Sequence, residues 1–194
     1  MKSFTAFQHF RFFSGKGKVV LCLQLCALLL LSSAYAGSGV SLKLKYRCQE
    51  ETNWCWAGAS QSVLQYYGFQ VSQRDIAAYG TNGANVPNYM TRSAAQQNGV
   101  AEILMKFGKI RTKIFGMPLT MSQVLSELTA GRPFVFRWGW DAGGGHILTG
   151  KGASGDRMEI LDPMWGVSMA RYTWVQRGGG HTWTSSMTTA PGGK

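Results

Sequence analysis

The sequence predicts an α+β fold in which helices come first and antiparallel strands follow. Between residues 52 and 129, N-cap residue types repeatedly precede apolar residues at helical spacing. From residue 134 onward, short runs rich in aromatic and β-branched residues alternate with glycine-rich turns. Neither an internal repeat nor a low-complexity tract interrupts this order. A single domain with helices packed on a mainly antiparallel sheet is therefore expected.

The first 36 residues are typical of a secretory signal peptide. Basic residues without any acid precede the apolar run Val19 to Leu31, and Ala34-Tyr35-Ala36 matches the small-x-small site of a signal peptidase. The run is short for a bilayer span, which needs about 20 residues. We expect cleavage before Gly37, one domain over residues 37–194, and a secreted or periplasmic product without stable membrane insertion. An uncleaved anchor is the alternative.

The elements that follow the signal begin with a strand. Apolar and polar residues alternate over Val40 to Tyr46, which predicts a half-buried strand. Two good N-cap types then precede a helical spacing of apolar residues, and Gly68 is placed to end that helix. Ser72 caps a second, short helix over Gln73 to Tyr79.

The middle of the chain carries weaker signals. Thr81 to Asn88 is rich in Gly, Asn and Pro and predicts a loop. Tyr89 to Gln97 predicts another helix, whereas Val100 to Phe115 is compatible with either strand or helix. Thr120 caps a clear helix over Met121 to Thr129.

Strands dominate the remaining residues. Gly150 to Gly155 predicts the tight turn of a hairpin, which brings residues of its two strands side by side on one face. The predicted strands are Phe134–Trp138, His146–Thr149, Met158–Leu161, Tyr172–Val175 and Thr182–Thr184.

Cys55 is predicted to lie in the first turn of the first helix. There the helix dipole and free backbone N–H groups stabilise an anion, which favours the nucleophilic thiolate. A cysteine between two tryptophans is also compatible with a small buried hydrophobe. Cys48 is the other cysteine after the signal, so a Cys48–Cys55 disulfide, structural or reversible, is a further alternative in an oxidising compartment.

His146 is the candidate base among the three histidines of the chain. It follows three glycines, which let a peptide backbone approach closely, and it opens an apolar strand. A lone histidine at a strand end is often structural. Asp162, however, ends the strand expected to pair with that of His146, and this favours a nucleophile–base–orienter arrangement with Cys55.

Three motifs carry a family resemblance: Gln49-x5-Cys55-Trp56-Ala57, Gly145-His146-x-Leu148-x-Gly150 and Asp162-Pro163-x-x-Gly166. Together they resemble the papain-like cysteine peptidases. The pattern is most similar to the bacterial branch that holds the bacteriocin leader-peptidase-like enzymes and the AvrRpt-type avirulence effectors. The resemblance covers most of the chain after the signal in order and spacing, although residues 71–117 carry no motif.

The resemblance implies a role for each motif residue. Cys55 would be the nucleophile, His146 the general base and then acid, and Asp162 the residue that orients the imidazole. Gln49 would donate a side-chain N–H to the oxyanion hole, together with the backbone N–H of Cys55. The implied fold is papain-like, with the nucleophile helix packed on the sheet. Trp165 is predicted either to shield the His–Asp pair from water or to belong to the core.

The sequence therefore predicts a secreted cysteine endopeptidase that cleaves protein or peptide substrates through a thioester acyl-enzyme. The same triad also suits amide hydrolysis or transamidation of cell-wall or protein glutamine groups, because the acyl acceptor decides the product. A different class is a non-catalytic secreted binding module with a Cys48–Cys55 disulfide, whose tryptophans bind a wall glycan or a peptide.

Charge and motif content exclude other classes of function. The formal net charge is +11 at pH 7, but the basic residues are spread out and do not form a patch that favours nucleic acid. Neither a GxGxxG nor a P-loop pattern is present, and neither HExxH nor paired CxxC occurs. We therefore expect no cofactor, no metal and no nucleic-acid partner, while the sequence indicates no oligomeric state.

Overall fold

The structure is a computed structural model that describes residues 39–93, 95 and 97–192. The predicted signal peptide lies outside the described residues. Within the described ranges, no helix has the length and apolar character needed to cross a bilayer.

In the described part of the chain, eight strands form one antiparallel sheet with the main order β2-β8-β3-β4-β5-β6. The short strand β1 pairs with β4, and β7 pairs with β8. The strands are Val40–Ser41 (β1), Arg111–Phe115 (β2), Phe134–Trp140 (β3), Gly145–Ser154 (β4), Arg157–Asp162 (β5), Gly166–Arg171 (β6), Arg177–Gly178 (β7) and His181–Ala190 (β8).

Helices flank this sheet. Those in the described residues are Cys55–Tyr66 (α1), Gln73–Thr81 (α2), Val100–Gly108 (α3), Met121–Thr129 (α4) and Tyr172–Gln176 (α5). Ser72 and Thr120 accept from the backbone N–H groups of Asp75 and Gln123, so both predicted N-caps are confirmed.

The two faces of the sheet bury different cores. Val135 and Ile147 pack with the apolar face of α1, which includes the fully buried Trp56. Phe134 and Leu148 point to the opposite face and pack with α4, as the alternation of strand side chains requires. The predicted α+β architecture, with the Cys55 helix packed on a mainly antiparallel sheet, is confirmed.

Two predicted elements of the first half differ from the structure. Strand β1 ends at Ser41 and does not continue to Tyr46. Among the described residues of 89–97 there is no helix. Instead the carbonyls of Tyr89 and Met90 accept the N–H groups of the first two residues of α3. The segment therefore caps α3, whose own N-cap residue, Gly99, has no side chain that could do so.

Two predicted elements of the second half of the chain also differ from the structure. Strand β4 continues past Gly150 with a register shift and ends at Ser154, so the hairpin turn is much tighter than predicted. Residues 172–176 form a helix and not a strand. The Tyr172 hydroxyl donates to the Leu119 carbonyl at 2.8 Å and accepts from Gln176, a contact that helical i,i+4 spacing allows.

Candidate active site

Cys55 is the first residue of α1. The N-cap is Trp54, and no side chain caps this helix end. The expected cap residues serve another purpose, because both Thr52 and Asn53 hydrogen-bond to Asn85. The N–H of Ala57 donates to the Trp54 carbonyl at 2.9 Å, whereas the N–H groups of Cys55 and Trp56 have no side-chain acceptor among the described residues and can stabilise an anion.

His146 and Asp162 form a buried pair on one face of the β4–β5 hairpin. The Nε2 atom of His146 lies 2.7 Å from Oδ1 of Asp162, and both residues are 4% exposed. The same carboxylate oxygen accepts the backbone N–H groups of Met164 at 2.8 Å and Trp165 at 3.3 Å. These contacts fix the carboxylate, and the Nδ1 atom of His146 remains for Cys55, which lines the same cleft.

The surroundings of His146 favour its charged form. Burial lowers its pKa, but hydrogen bonding and charge from Asp162 and Cys55 raise it more, to about 9. The imidazolium is therefore the main form at neutral pH. An imidazolium beside a cysteine stabilises a thiolate and can later donate a proton to a leaving group.

Pro163 joins the Asp162 loop to the segment before Cys55. Its carbonyl accepts the backbone N–H of Gln49 at 2.9 Å and the hydroxyl of Tyr46 at 3.3 Å. On α1, a Cβ at Gly58 would lie 3.0 Å from the Pro163 Cβ, so a glycine there allows close packing. These contacts fix the carboxylate loop against the nucleophile helix.

Gln49 is not among the described residues that line the cleft. Its side-chain amide donates to the carbonyls of Glu51 at 3.0 Å and Thr52 at 2.8 Å. Its Oε1 atom is buried and has no hydrogen-bond partner among the described residues. The structure therefore shows Gln49 shaping its own loop, and its predicted oxyanion-hole role requires the amide to rotate.

Membership of a family follows from the sequence as a whole. The family described as "Peptidase_C39 like family" matches residues 41–185, a range that includes every motif residue described above. The chain belongs to this family. No curated protein matches the sequence.

Solved structures of C39 peptidases share this fold. The peptidase domain of Streptococcus ComA, a bi-functional ABC transporter involved in a quorum sensing pathway, aligns with a TM-score of 0.57 and 19% identity over 76% of this chain and 98% of that chain. A double glycine motif protease from an AMS/PCAT transporter, in complex with its leader peptide, aligns with a TM-score of 0.56 and 18% identity over 78% and 94%. A C39-like peptidase from Bacillus anthracis aligns with a TM-score of 0.55 and 15% identity over 81% and 100%.

These matches settle the fold of this C39-like protein at the level of the papain-like peptidases. The finer placement beside the bacteriocin leader peptidases or the AvrRpt-type effectors stays a prediction.

Aromatic side chains cover the His–Asp pair of the C39-like chain. The ring centroid of Trp140 lies 6.0 Å from that of His146, and the centroid of Trp165 lies 5.5 Å away. Trp165 is 65% exposed, so the core interpretation of this residue is wrong. Its indole is positioned to limit the access of water to His146.

Cys55 and His146 line a cleft of about 580 Å³. Asn88 and Tyr89 also line it, and they belong to the middle region where the sequence shows no motif. Arg137 also lines the cleft and was not predicted, although an arginine within an otherwise apolar strand was a usable signal.

Neither a metal centre nor a disulfide is found in the described residues. No cluster of three or more His, Cys, Asp or Glu side chains there could hold a metal ion. Cys48 and Cys55 are both free thiols.

Proposed function

We propose that the protein is a secreted or periplasmic cysteine peptidase that hydrolyses peptide bonds through a Cys55 thioester. The observation that carries the proposal is the buried hydrogen bond between His146 and Asp162 at the edge of the cleft that Cys55 lines. Membership of the C39-like family and the free thiol of Cys55 support it. A peptide substrate is also supported by the leader peptide bound to the AMS/PCAT protease.

The first half of the reaction forms the acyl-enzyme. The Sγ atom of Cys55 attacks the scissile carbonyl carbon, and the carbonyl oxygen becomes an oxyanion. The backbone N–H of Cys55, at the uncapped start of α1, is the proposed first donor to this charge. The C–N bond then breaks as the imidazolium of His146 protonates the departing amine, which leaves a thioester on Cys55.

The second half releases the acyl group. Neutral His146 takes a proton from water, and the resulting nucleophile attacks the thioester carbonyl. Collapse of the second tetrahedral intermediate frees the carboxylic product and returns the thiolate–imidazolium pair. Asp162 keeps Nε2 of His146 occupied throughout, so that Nδ1 stays directed at the reacting atoms.

Gln49 is the proposed second donor of the oxyanion hole. Its side-chain amide would leave the carbonyls of Glu51 and Thr52 when substrate binds. Removing such a donor typically lowers kcat by about 10²–10³-fold. A Gln49→Ala variant is expected to lower kcat more than it raises KM, and the opposite pattern would assign Gln49 to substrate binding.

Thiol labelling combined with peptide turnover tests the proposal. The chain without residues 1–36 would be treated with iodoacetamide across pH, and the modified cysteine would be identified by mass spectrometry. We expect Cys55 to react much faster than the exposed Cys48 at neutral pH, and His146→Ala to remove this advantage. Equal reactivity of the two thiols would refute an activated nucleophile.

Turnover would be followed with a mixed peptide library by mass spectrometry of the products. Cys55→Ala and His146→Ala are expected to abolish cleavage, while Cys48→Ala serves as the matched control and retains it. Asp162→Ala should cost less than either, because Asp162 orients and does not react. Cleavage that persists in Cys55→Ala would overturn the proposal, and products other than new termini would assign the site to another acyl transfer.

Export is tested separately. We expect the protein recovered from the periplasm or the medium of a secreting host to begin at Gly37. An N-terminus at any other residue would refute the predicted cleavage site.

A further inference from the structure

Arg137 has a fixed guanidinium inside the cleft. The residue lies in β3 between the buried Phe136 and Trp138, and its side chain lines the same cleft as Cys55 and His146. Its Nη2 atom donates to the Gly144 carbonyl at 2.7 Å. The Nη1 atom donates to the hydroxyl of Thr184 at 3.1 Å. Since a guanidinium has five N–H groups, these two contacts leave others free to bind a ligand.

The charge of Arg137 is not neutralised by the protein. The chain has nine acidic residues, all within the described ranges. The ion pairs there are Arg132–Glu127, His146–Asp162, Lys151–Glu159 and Arg171–Asp156, and none includes Arg137. Among the described residues that line the cleft, Arg137 is the only lysine, arginine, aspartate or glutamate. The cleft thus presents one unpaired cation beside its reactive pair.

The sheet leaves space for this guanidinium. Gly139 and Gly145 are paired in the β3–β4 ladder. A Cβ at Gly145 would overlap the guanidinium of Arg137, whereas a Cβ at Gly139 would first meet Cγ2 of Thr184 at 2.9 Å and would lie 3.4 Å from Nη1. Glycine inside a strand lowers the stability of the sheet. The presence of Gly145 at this position is explained by the guanidinium of Arg137, which occupies the space that a side chain would fill. Arg137, Gly145 and His146 all line the same cleft, so the guanidinium shares that cleft with the proposed general acid.

We propose that Arg137 binds a carboxylate of the substrate within about two residues of the scissile bond. A planar guanidinium held by a carbonyl and a hydroxyl is suited to a charge-assisted, bidentate contact with a carboxylate. The carboxylate is that of an Asp or Glu side chain or of the peptide C-terminus. This inference rests on the proposed peptidase function and names the substrate class for the same site.

Alkylation of Cys55 tests the subsite without a known substrate. Iodoacetate and iodoacetamide are similar in size but differ by one negative charge, so the ratio of their rates reports the cations near the thiol. We expect Arg137→Gln to lower this ratio about threefold or more, the effect of one charge at several ångströms in a hydrated cleft. Arg111→Gln is the matched control, because Arg111 is exposed on β2 and does not line the cleft.

A second variant separates charge from position. Gly145→Ala keeps Arg137 but displaces its guanidinium, and it should also lower the iodoacetate to iodoacetamide ratio. An unchanged ratio of the iodoacetate rate to the iodoacetamide rate in both variants would overturn the subsite, and so would equal slowing of both reagents. Arg137 would then have only a structural role, in which it stabilises the glycine turn. Failure of Cys55 to outcompete Cys48 in the unmodified protein would instead refute the peptidase proposal.

Peptide pairs then identify the source of the carboxylate. A cleaved library peptide would be remade with Glu or Gln at each of the two positions on either side of the scissile bond, and with a free or amidated C-terminus. The subsite predicts a kcat/KM preference for one acidic member, and Arg137→Glu is expected to reverse it in favour of a further peptide that carries lysine at the same position. A preference that survives Arg137→Glu would contradict the assignment.

Discussion

Replacing Asp162 by Asn tests how the site controls the charge of His146. The substitution keeps the size of the side chain but removes its negative charge. In the structure, burial disfavours the imidazolium, while Asp162 and Cys55 together raise the pKa of His146 to about 9. We expect Asp162→Asn to move this pKa down toward the ordinary value near 6.5, because the hydrogen bond to Asp162 is the largest contribution that raises it.

The size of the effect follows from the change in pKa. Raising the pKa of His146 from 6.5 to about 9 corresponds to about 3 kcal/mol in favour of the charged form. Since that form is favoured only in the folded protein, the stabilisation is fully present below pH 6.5 and is lost as the pH rises through about 9. The free energy of unfolding should therefore fall between pH 7 and 10, and it should fall less in Asp162→Asn.

NMR titration of the histidine side chains measures this directly. His146 is expected to titrate near pH 9, and its signals are assigned by their loss in His146→Gln. His181 provides an internal reference, because burial lowers its pKa and the charge that acts on it is that of Asp141 and not that of Asp162. A value for His146 near 6.5 in the unmodified protein, or the same high value in Asp162→Asn, would refute the reasoning.

Three further substitutions test packing and shielding. Thr120→Ala removes the N-cap of α4 and should lower the free energy of unfolding by about 1 kcal/mol, measured by urea denaturation; an unchanged midpoint would contradict the cap. Gly150→Ala places a Cβ against the ring of the buried Phe134 and should cost about 1–3 kcal/mol in the same assay, whereas a stabilised variant would exclude this contact. Trp165→Ala should lower kcat/KM with little change in stability, since the indole is 65% exposed but lies beside His146; equal turnover would remove its shielding role.

Local sequence signals predicted the elements that local forces stabilise. The N-caps Ser72 and Thr120 and the glycine that follows α1 mark helices whose ends depend on adjacent residues. The aromatic-rich strand β3 was likewise predicted, because burial on both faces selects such residues.

The wrong assignments lie where distant contacts decide the conformation. Residues 172–176 favour a strand by composition, but the bond from Tyr172 to Leu119 holds them as a helix. The carbonyls of Tyr89 and Met90 are used at the start of α3 and so cannot form helical bonds of their own. Neither contact is visible as a pattern along the chain.

The candidate site likewise contains residues that the sequence could predict and residues that it could not. Cys55, His146 and Asp162 stand in short motifs that resemble a known family, so the sequence alone was enough to propose them, and the β4–β5 hairpin explains how His146 meets Asp162. The orientation of the Gln49 amide and the free charge of Arg137 depend on what surrounds them in space. Only the structure reveals those surroundings.

The contacts of Pro163 set limits on how the chain can vary in length. One carbonyl holds both sides of the site together, because it receives Gln49 and Tyr46 from the segment that leads to Cys55. An insertion between residues 49 and 55 would move the nucleophile away from its base while the anchor stayed in place. The loop at residues 82–88 is bonded to the same segment, because Asn85 hydrogen-bonds to Thr52 and Asn53 while the carbonyls of Ala84 and Val86 accept the indole N–H groups of Trp54 and Trp56. Both the segment ahead of α1 and the loop bonded to it are therefore expected to keep their lengths.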